Sequence, residues 1–381
     1  MSRSRFEKQW FLWSKELPGI QPYYAVKCNP EPLLISWIHE KGGAFDCASA
    51  REMKIVQKQL GDSSLGEKIL FANPCKTPSD IQTASQLGVS CVTADSAEEL
   101  NKMYTSIYRP QTLIRVAVDD EAASCPFSMK FGIQPEKIEE ILKEAALCAI
   151  PIIGLSFHVG SGSKNPSAFS NAIHLCTNLW KSLQNRGFVG PLSILDIGGG
   201  WSHCPAEFQE QAKNTVSALE NTVVKPKRVI AEPGRFFAAP THELYVRVMG
   251  KKPAIHGKGF RYTLDESIYG QFSCIPFDHA TPRMARLRNQ YDQMRRHVPG
   301  TFFGRTCDSL DWIGSSDSTE ELFVGDWLYI PDMGAYTTAT STEFNGFPRP
   351  VVQISHVKPE GDELVWLTNM KFPLASMLKL R

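Results

Sequence analysis

Five short stretches in the first 240 residues carry side chains that do chemistry once gathered in one place: Lys27 in PYYAVKCNP, Asp46 in GAFDC, His158 ahead of Gly-Ser-Gly, the run Gly198-Gly199-Gly200, and Glu232-Pro-Gly-Arg235. A lysine is almost never fully buried unless it is paired or reacting, and its amine forms a Schiff base with a carbonyl. Successive glycines expose backbone N–H groups to an anion, and Gly234-Arg235 adds more such groups with a guanidinium beside them. A carboxylate such as Glu232 next to a pyridine nitrogen keeps that nitrogen protonated and strengthens an electron sink. Singly, each stretch has a plainer reading. Asp46 and Glu232 would be helix N-caps, His158 a satisfied core histidine, the glycines turns, and Lys27 a surface amine at a loop mouth. Together, a lysine, a carboxylate, an anion cradle and a flat imidazole fit pyridoxal phosphate; a flavin or a nicotinamide would not need the lysine.

The order of elements must bring these stretches together. From residue 22 to about residue 237 the chain alternates short β-branched or aromatic runs with helical stretches. The strand candidates are YYAVK, GAFDC, KILFAN, SCVTAD, LIRVAV, GLSFHV, SILDIG and RVIAEP. Helical candidates between them include EPLLISWIHEK, SAREMKIVQKQL, SAEELNKMY and PEKIEEILKEAALCAI, two of them opening on capping boxes at Ser49/Glu52 and Ser96/Glu99. Asn29 reads as an N-cap with Pro30 in the first helical position. Eight βα units predict a (β/α)8 barrel over residues 1–240, and a barrel's chemistry sits at the carboxyl ends of its strands, where all five stretches fall. The alternative, an open doubly wound sheet, would carry a glycine fingerprint after its first strand, where this chain has Lys27. Beyond residue 240 the pattern changes to strands without long helices, ELYVRVMGKK, FRYTLDES, ELFVGDWLYIPD, PVVQISHVK and ELVWLTNM, which predicts an all-β domain over 241–381.

Composition narrows the partners. Among 381 residues, 41 basic side chains stand against 40 acidic ones, leaving a net charge of +1. That balance argues against a nucleic-acid groove or a polybasic membrane anchor and for small molecules or proteins. The ten cysteines are irregularly spaced, with no Cys-x-x-Cys pair and no Cys/His cluster of zinc-finger type, so free thiols are expected and no metal site. The opening MSRSRFEKQWFLWSKEL mixes charge through its apolar residues, and no apolar run approaches the roughly 20 residues that span a bilayer. The expectation is a soluble, cytoplasmic protein.

In the second half, Cys307-Asp308 within RTCDSLDW, Asp278 within FDHA, and DMGAYT put reactive groups in loop contexts. With these on the page, the chain resembles the eukaryotic ornithine decarboxylase family, pyridoxal-phosphate enzymes with an alanine-racemase-like barrel and a β domain. YAVKCN, FDCAS, ANPCK, FHVGSG, DIGGG, AEPGR, YGQFSCIPFDHA, TCDSLD, VGDWL, MGAYT and FNGF recur in that order.

The resemblance implies that Lys27 holds the cofactor as a Schiff base with Asp46 nearby, that Glu232 pairs with the ring nitrogen, and that His158 stacks on the ring. It implies a phosphate site built from Ser161, Gly199, Gly200, Gly234, Arg235 and Tyr336. Cys307 would protonate the α carbon after carbon dioxide leaves. Asp278 and Asp308 would receive the distal ammonium of a diamino acid, with Phe277 and Phe344 beside the substrate. In the family Cys307 and Asp308 enter the partner's site, which implies a head-to-tail homodimer with shared active sites. The expected reaction is decarboxylation of L-ornithine to putrescine. The alternatives are a decarboxylase of lysine or another amino acid, and an inactive relative that binds the regulatory protein antizyme, which the retention of Lys27, Glu232, Cys307 and Asp308 disfavours. A racemase fits poorly with intact CDSLD and FDHA. Three departures bear on this reading: only 26 residues precede Lys27, so a strand that an N-terminal segment supplies to the family's β domain has to be replaced; Pro126 stands where the family has arginine; and Phe277 and Ser309 stand where it has tyrosine and glycine.

Overall fold

The computed structural model describes residues 1–61, 65–255, 257–288, 294–354 and 364–373. They form two compact units, Glu7–Phe237 and Met1–Phe6 with Ala238–Arg381. Among the described residues no helix is long and apolar enough to cross a membrane.

The first unit is a closed parallel barrel of eight strands: β1 (Ile20–Ala25), β2 (Ala44–Cys47), β3 (Ile69–Phe71), β4 (Cys91–Ala94), β5 (Gln111–Arg115), β6 (Ile152–Ser156), β7 (Ile194–Asp196) and β8 (Arg228–Ala231). All eight expected strands are present. Closure comes from β1 pairing with β8, Ile20 opposite Val229 and Pro22 opposite Ala231. Side chains from several strands, among them Tyr23, Leu70, Leu113, Ile194 and Ile230, fill the interior, so it is a packed core with its chemistry confined to the strand ends.

Local signals set the helices. Ser49 caps α3 (Ala50–Leu60) and Ser96 caps α5 (Ala97–Thr105), each accepting the N–H three residues on. Thr77, ahead of Pro78, caps α4 (Pro78–Gln86) in the same way. The expected cap at Asn29 is not formed. The helix starts later, at α2 (Pro32–Glu40), with Glu31 in the capping position. A second proline explains this, because the residue before Pro32 is pushed out of the helical region. Asn29 instead accepts the Glu31 N–H at 3.1 Å in a local turn.

Behind α5 lies a buried ion cluster. Lys76 and Glu99 are both buried, 3.4 Å apart, and Lys102 reaches the other Glu99 oxygen at 2.5 Å. Desolvation outweighs the attraction of Glu99 and pushes the Lys76 amine down to about 8 from 10.5. Lys76→Ala, which opens a hole and strips a partner from a buried carboxylate, is expected to lower unfolding free energy by about 3 kcal/mol; Lys76→Met strips the same partner but fills the hole, and should cost about 1 kcal/mol less. Between pH 8 and 10.5 the unfolded chain binds the extra proton, so the Lys76 contribution to stability rises with pH across that window. Denaturant titrations at the two ends of the window should find that slope in wild type and not in Lys76→Met.

The second unit is an eight-stranded sheet built from β9 (Leu244–Pro253), β10 (Phe260–Leu264), β11 (Ala285–Leu287), β12 (His297–Phe303), β13 (Trp312–Glu320), β14 (Trp327–Ile330), β15 (Leu364–Trp366) and β16 (Thr368–Lys371). Their order is β15-β11-β14-β9-β10-β12-β13-β16. The all-β expectation holds, with differences in detail. Of ELFVGDWLYIPD only Trp327–Ile330 is strand, because Gly325 turns the chain at positive φ. PVVQI is not strand over 350–354, and the rest of PVVQISHVK lies outside the described residues. β12 and β13 escape pattern reading because Pro299-Gly300 and the run SSDST look like turns. Their pairing with each other and with β10 and β16 makes them strands.

Candidate active site

The barrel's strand ends hold the first group. β1 stops at Ala25, and Val26–Cys28 form one tight helical turn that lifts Lys27 out of the strand. The Lys27 amine, 40% exposed, donates to Asp46 Oδ2. Asp46 is fully buried in β2, and its Oδ1 has no hydrogen-bond partner among the described residues. An amine on the open side of a buried carboxylate is held in place while one face stays accessible.

His158 lies two residues beyond β6 and accepts the Gly160 N–H on Nδ1 at 2.9 Å, which leaves its proton to Nε2 when the ring is neutral. Desolvation first, then the charges of Arg115 and Lys27, hold the imidazole well below its usual range. It is therefore a neutral, flat surface near pH 7. A side chain at Gly199 would come 2.7 Å from His158 Nε2, and one at Gly200, at φ +99°, would come 2.4 Å from the Gly160 carbonyl. These close approaches require glycine. Gly234 is similarly crowded, its missing Cβ facing Cys28 at 2.9 Å. Across the cradle Arg235 donates to Ser161 Oγ at 3.2 Å. Burial, then the neighbouring carboxylates Asp196 and Asp46, push the Glu232 carboxyl well above its ordinary value.

The geometry fits pyridoxal phosphate: an amine for the aldehyde, glycine backbone with Ser161 and Arg235 for the phosphate, a carboxyl for the ring nitrogen, and a buried Asp46 oxygen short of a donor.

Sequence reasoning missed several residues here. Arg115 ends β5 with its guanidinium 5.0 Å from the Phe131 ring centroid; a charge inside a barrel strand was the signal. Asp196 ends β7, two residues before the glycine run. A strap over residues 119–131 follows β5. Buried Asp120 accepts the Phe127 N–H, the Ser128 N–H and the Ser128 hydroxyl. Cys125 and Ser161 exchange backbone hydrogen bonds of 3.1 and 3.2 Å, and Phe127 meets the His158 ring edge-on at 4.9 Å. The strap thus braces both the loop at Ser161 and the imidazole. Pro126 fits it without loss, since the donors come from the two residues after it.

The second unit holds the other group. Asp308 accepts the Tyr269 hydroxyl on one oxygen and the Leu310 N–H at 3.0 Å on the other. These hydrogen bonds, the backbone one first, keep its carboxyl below the ordinary range. The Tyr269 ring packs on Phe344 with centroids 4.6 Å apart, and Asn345 accepts the Cys307 N–H at 3.0 Å. The Cys307 side chain is exposed. Buried Asp311 fastens this turn by accepting from Ile268 N–H and from both the N–H and the hydroxyl of Thr306. Tyr269, Asn345 and Asp311 were not singled out from the sequence, although each lies within a quoted motif. Phe277, 67% exposed, and Asp278 sit on the short helix α10 (Cys274–Asp278), which ends at His279 in a left-handed conformation. Tyr336 adopts positive φ in the loop after β14. Cys307, Asp308 and Phe344 are therefore neighbours around Tyr269, whereas Phe277, Asp278 and Tyr336 lie on other segments of that unit.

Comparison with known proteins agrees in both halves. A sequence profile described as pyridoxal-dependent decarboxylase, pyridoxal binding domain, matches residues 3–239, and one described as pyridoxal-dependent decarboxylase, C-terminal sheet domain, matches residues 240–334. Ornithine decarboxylase of Caenorhabditis elegans is 40% identical over 358 residues, covering 89% of this chain and 82% of that protein. Ornithine decarboxylase of Schizosaccharomyces pombe is 37% identical over 347 residues, covering 89% and 79%. Among solved structures, the Paramecium bursaria Chlorella virus arginine decarboxylase bound to agmatine superposes with a TM-score of 0.84 at 36% identity, covering 91% of this chain and 93% of that one. The Vibrio vulnificus lysine/ornithine decarboxylase complexed with putrescine gives 0.81 at 31% identity, covering 93% of each chain. Matched in order by both profiles and over most of its length by these enzymes, the chain belongs to the pyridoxal-dependent decarboxylase family.

Proposed function

We propose that this protein removes the α carboxyl group of a basic amino acid, with L-ornithine the substrate and putrescine the product. The observation that carries the substrate class is Asp308, whose carboxylate is kept ionised by Tyr269 and Leu310 next to an exposed cysteine. A fixed carboxylate of this kind suits a distal ammonium, and curated relatives carry the ornithine decarboxylase name.

In this reading Lys27 binds the cofactor and Asp46 steers its amine. Ser161, Gly199, Gly200, Gly234, Arg235 and Tyr336 hold the phosphate. When bound, pyridoxal phosphate supplies the electron sink for the pair released as the carbon–carboxyl bond breaks. Glu232 holds a proton at the ring nitrogen. His158, neutral and braced by Phe127, covers one face of the ring without adding charge. Asp278 and Asp308 take the distal ammonium, Phe277 and Phe344 line the aliphatic stem, and the Cys307 thiol gives its proton to the α carbon.

Cys307 and Asp308 serve the barrel of a partner subunit in this proposal, so activity requires a homodimer. Mixing Lys27→Ala with Cys307→Ala subunits, each inactive alone, is expected to restore part of the activity, because a hybrid dimer contains one site with both groups intact. Recovery of nothing, with subunit exchange verified by mass-tagged chains, would sink the shared site.

A further inference from the structure

Beside Glu232 lies a carboxyl to which the reaction above assigns no task. Asp196, at the end of β7, is fully buried. Its Oδ1 accepts the Gly198 N–H at 3.0 Å, its Oδ2 has no hydrogen-bond donor among the described residues, and the group lies within hydrogen-bonding reach of the Glu232 side chain. The backbone holds the two together. Asp196 pairs with Ile230 in the β7–β8 ladder, and Glu232 N–H donates to the Gly198 carbonyl at 2.8 Å. The register fixes the two main-chain positions from which the carboxyls project. The charged groups facing the pair are Asp46 from β2, which adds a third negative charge, and the cations Lys27 and Arg115. Lys27 is already engaged with Asp46. Tyr23 of β1 and Cys91 of β4 are raised chiefly by burial, with the charge of Asp196 adding to it. Two carboxylates this close in a desolvated site cannot both stay ionised while no cation is bound beside them; a single proton between them removes the repulsion. The upward displacement of both carboxyls, burial being the first cause for each, agrees with this.

We propose that Asp196 and Glu232 are a proton-sharing carboxyl pair that keeps one proton in the cofactor-free protein near neutral pH and passes it from Glu232 to the ring nitrogen of incoming pyridoxal phosphate. This rests on the reading of Glu232 as the partner of that nitrogen. In the transfer the O–H bond of Glu232 breaks, an N–H bond forms, and the electron pair stays on the carboxylate. The ring is then charged without drawing a proton from solvent. Asp196 is a positioning residue, acting through Glu232.

Infrared difference spectra of the full-length protein, stripped of cofactor and then reloaded with pyridoxal phosphate, test this. Wild type at pH 7 is expected to show the carbonyl-stretch band of a protonated carboxyl, and to lose it on loading. Asp196→Asn and Glu232→Gln should both lack the band, because in each the remaining carboxylate has lost its like-charged neighbour and gained an amide donor. Proton uptake from unbuffered solution during loading should be larger in Asp196→Asn than in wild type by about one proton per site. A wild-type apo protein without the band, or equal uptake in the two proteins, would overturn the pair and leave Glu232 at the ring nitrogen. A band that survives loading unchanged would overturn the transfer and, with it, the place of Glu232 at the ring. Should Asp196→Asn fail to fold, the wild-type and Glu232→Gln spectra still decide.

Discussion

Lys27→Ala is expected to reduce turnover by roughly four orders of magnitude or more, and to remove both the visible absorbance of the bound cofactor and its borohydride-reducible attachment. The amine is singular in its setting. It stands on a turn just past β1, paired to a carboxylate that is itself fully buried, with its own side chain still open to the bowl. Lys76, the other amine that follows a barrel strand in a recurring motif, is buried against Glu99 and bonded to the Thr93 carbonyl at 2.5 Å, so it cannot take over. Arginine would not substitute, since its guanidinium stays protonated and cannot act as the nucleophile. Spectra before and after borohydride treatment, with mass analysis of the reduced protein, read the result. A reducible adduct retained in Lys27→Ala would mean that another lysine carries the cofactor.

Asp308→Asn tests the substrate class. If Asp278 and Asp308 both grip a distal ammonium, removing one carboxylate leaves a partly desolvated cation short of a partner, a loss of roughly 3–5 kcal/mol, or two to four decades in kcat/KM. An uncharged substrate such as norvaline should lose little. The substitution exchanges an acceptor oxygen for an amide and disturbs the Tyr269 and Leu310 hydrogen bonds only locally, so most of the loss should appear as weaker productive binding. Rates of amine and carbon dioxide release from ornithine, lysine, arginine and norvaline, in wild type and variant, make the comparison. Ser309, directly after Asp308, and Phe277, directly before Asp278, both depart from the family pattern. A wild-type preference for norvaline would defeat the diamino-acid assignment while leaving decarboxylation standing.

What the sequence determined by itself was everything encoded over a few neighbouring residues. The βα alternation is local, so all eight barrel strands were legible, and with them the position of Lys27, Asp46, His158, Glu232 and the glycine run at or just past the strand ends. The caps at Ser49 and Ser96 span three residues and were equally plain. The cap at Asn29 failed because a second proline two residues beyond Pro30 postponed the helix. Tertiary structure alone decided the pairings between distant segments. Asp196 meets Glu232, 36 positions later, only because β7 and β8 lie side by side in a fixed register. Tyr269 holds Asp308 across 39 positions, and the Asp120 strap reaches Ser161 across the top of β6. β13, polar in sequence, is a strand because β12 and β16 complete its hydrogen bonds. A residue's type announces what chemistry it can do. Which proton it shares, and which neighbour holds it in place, depends on contacts that do not exist until the sheet closes.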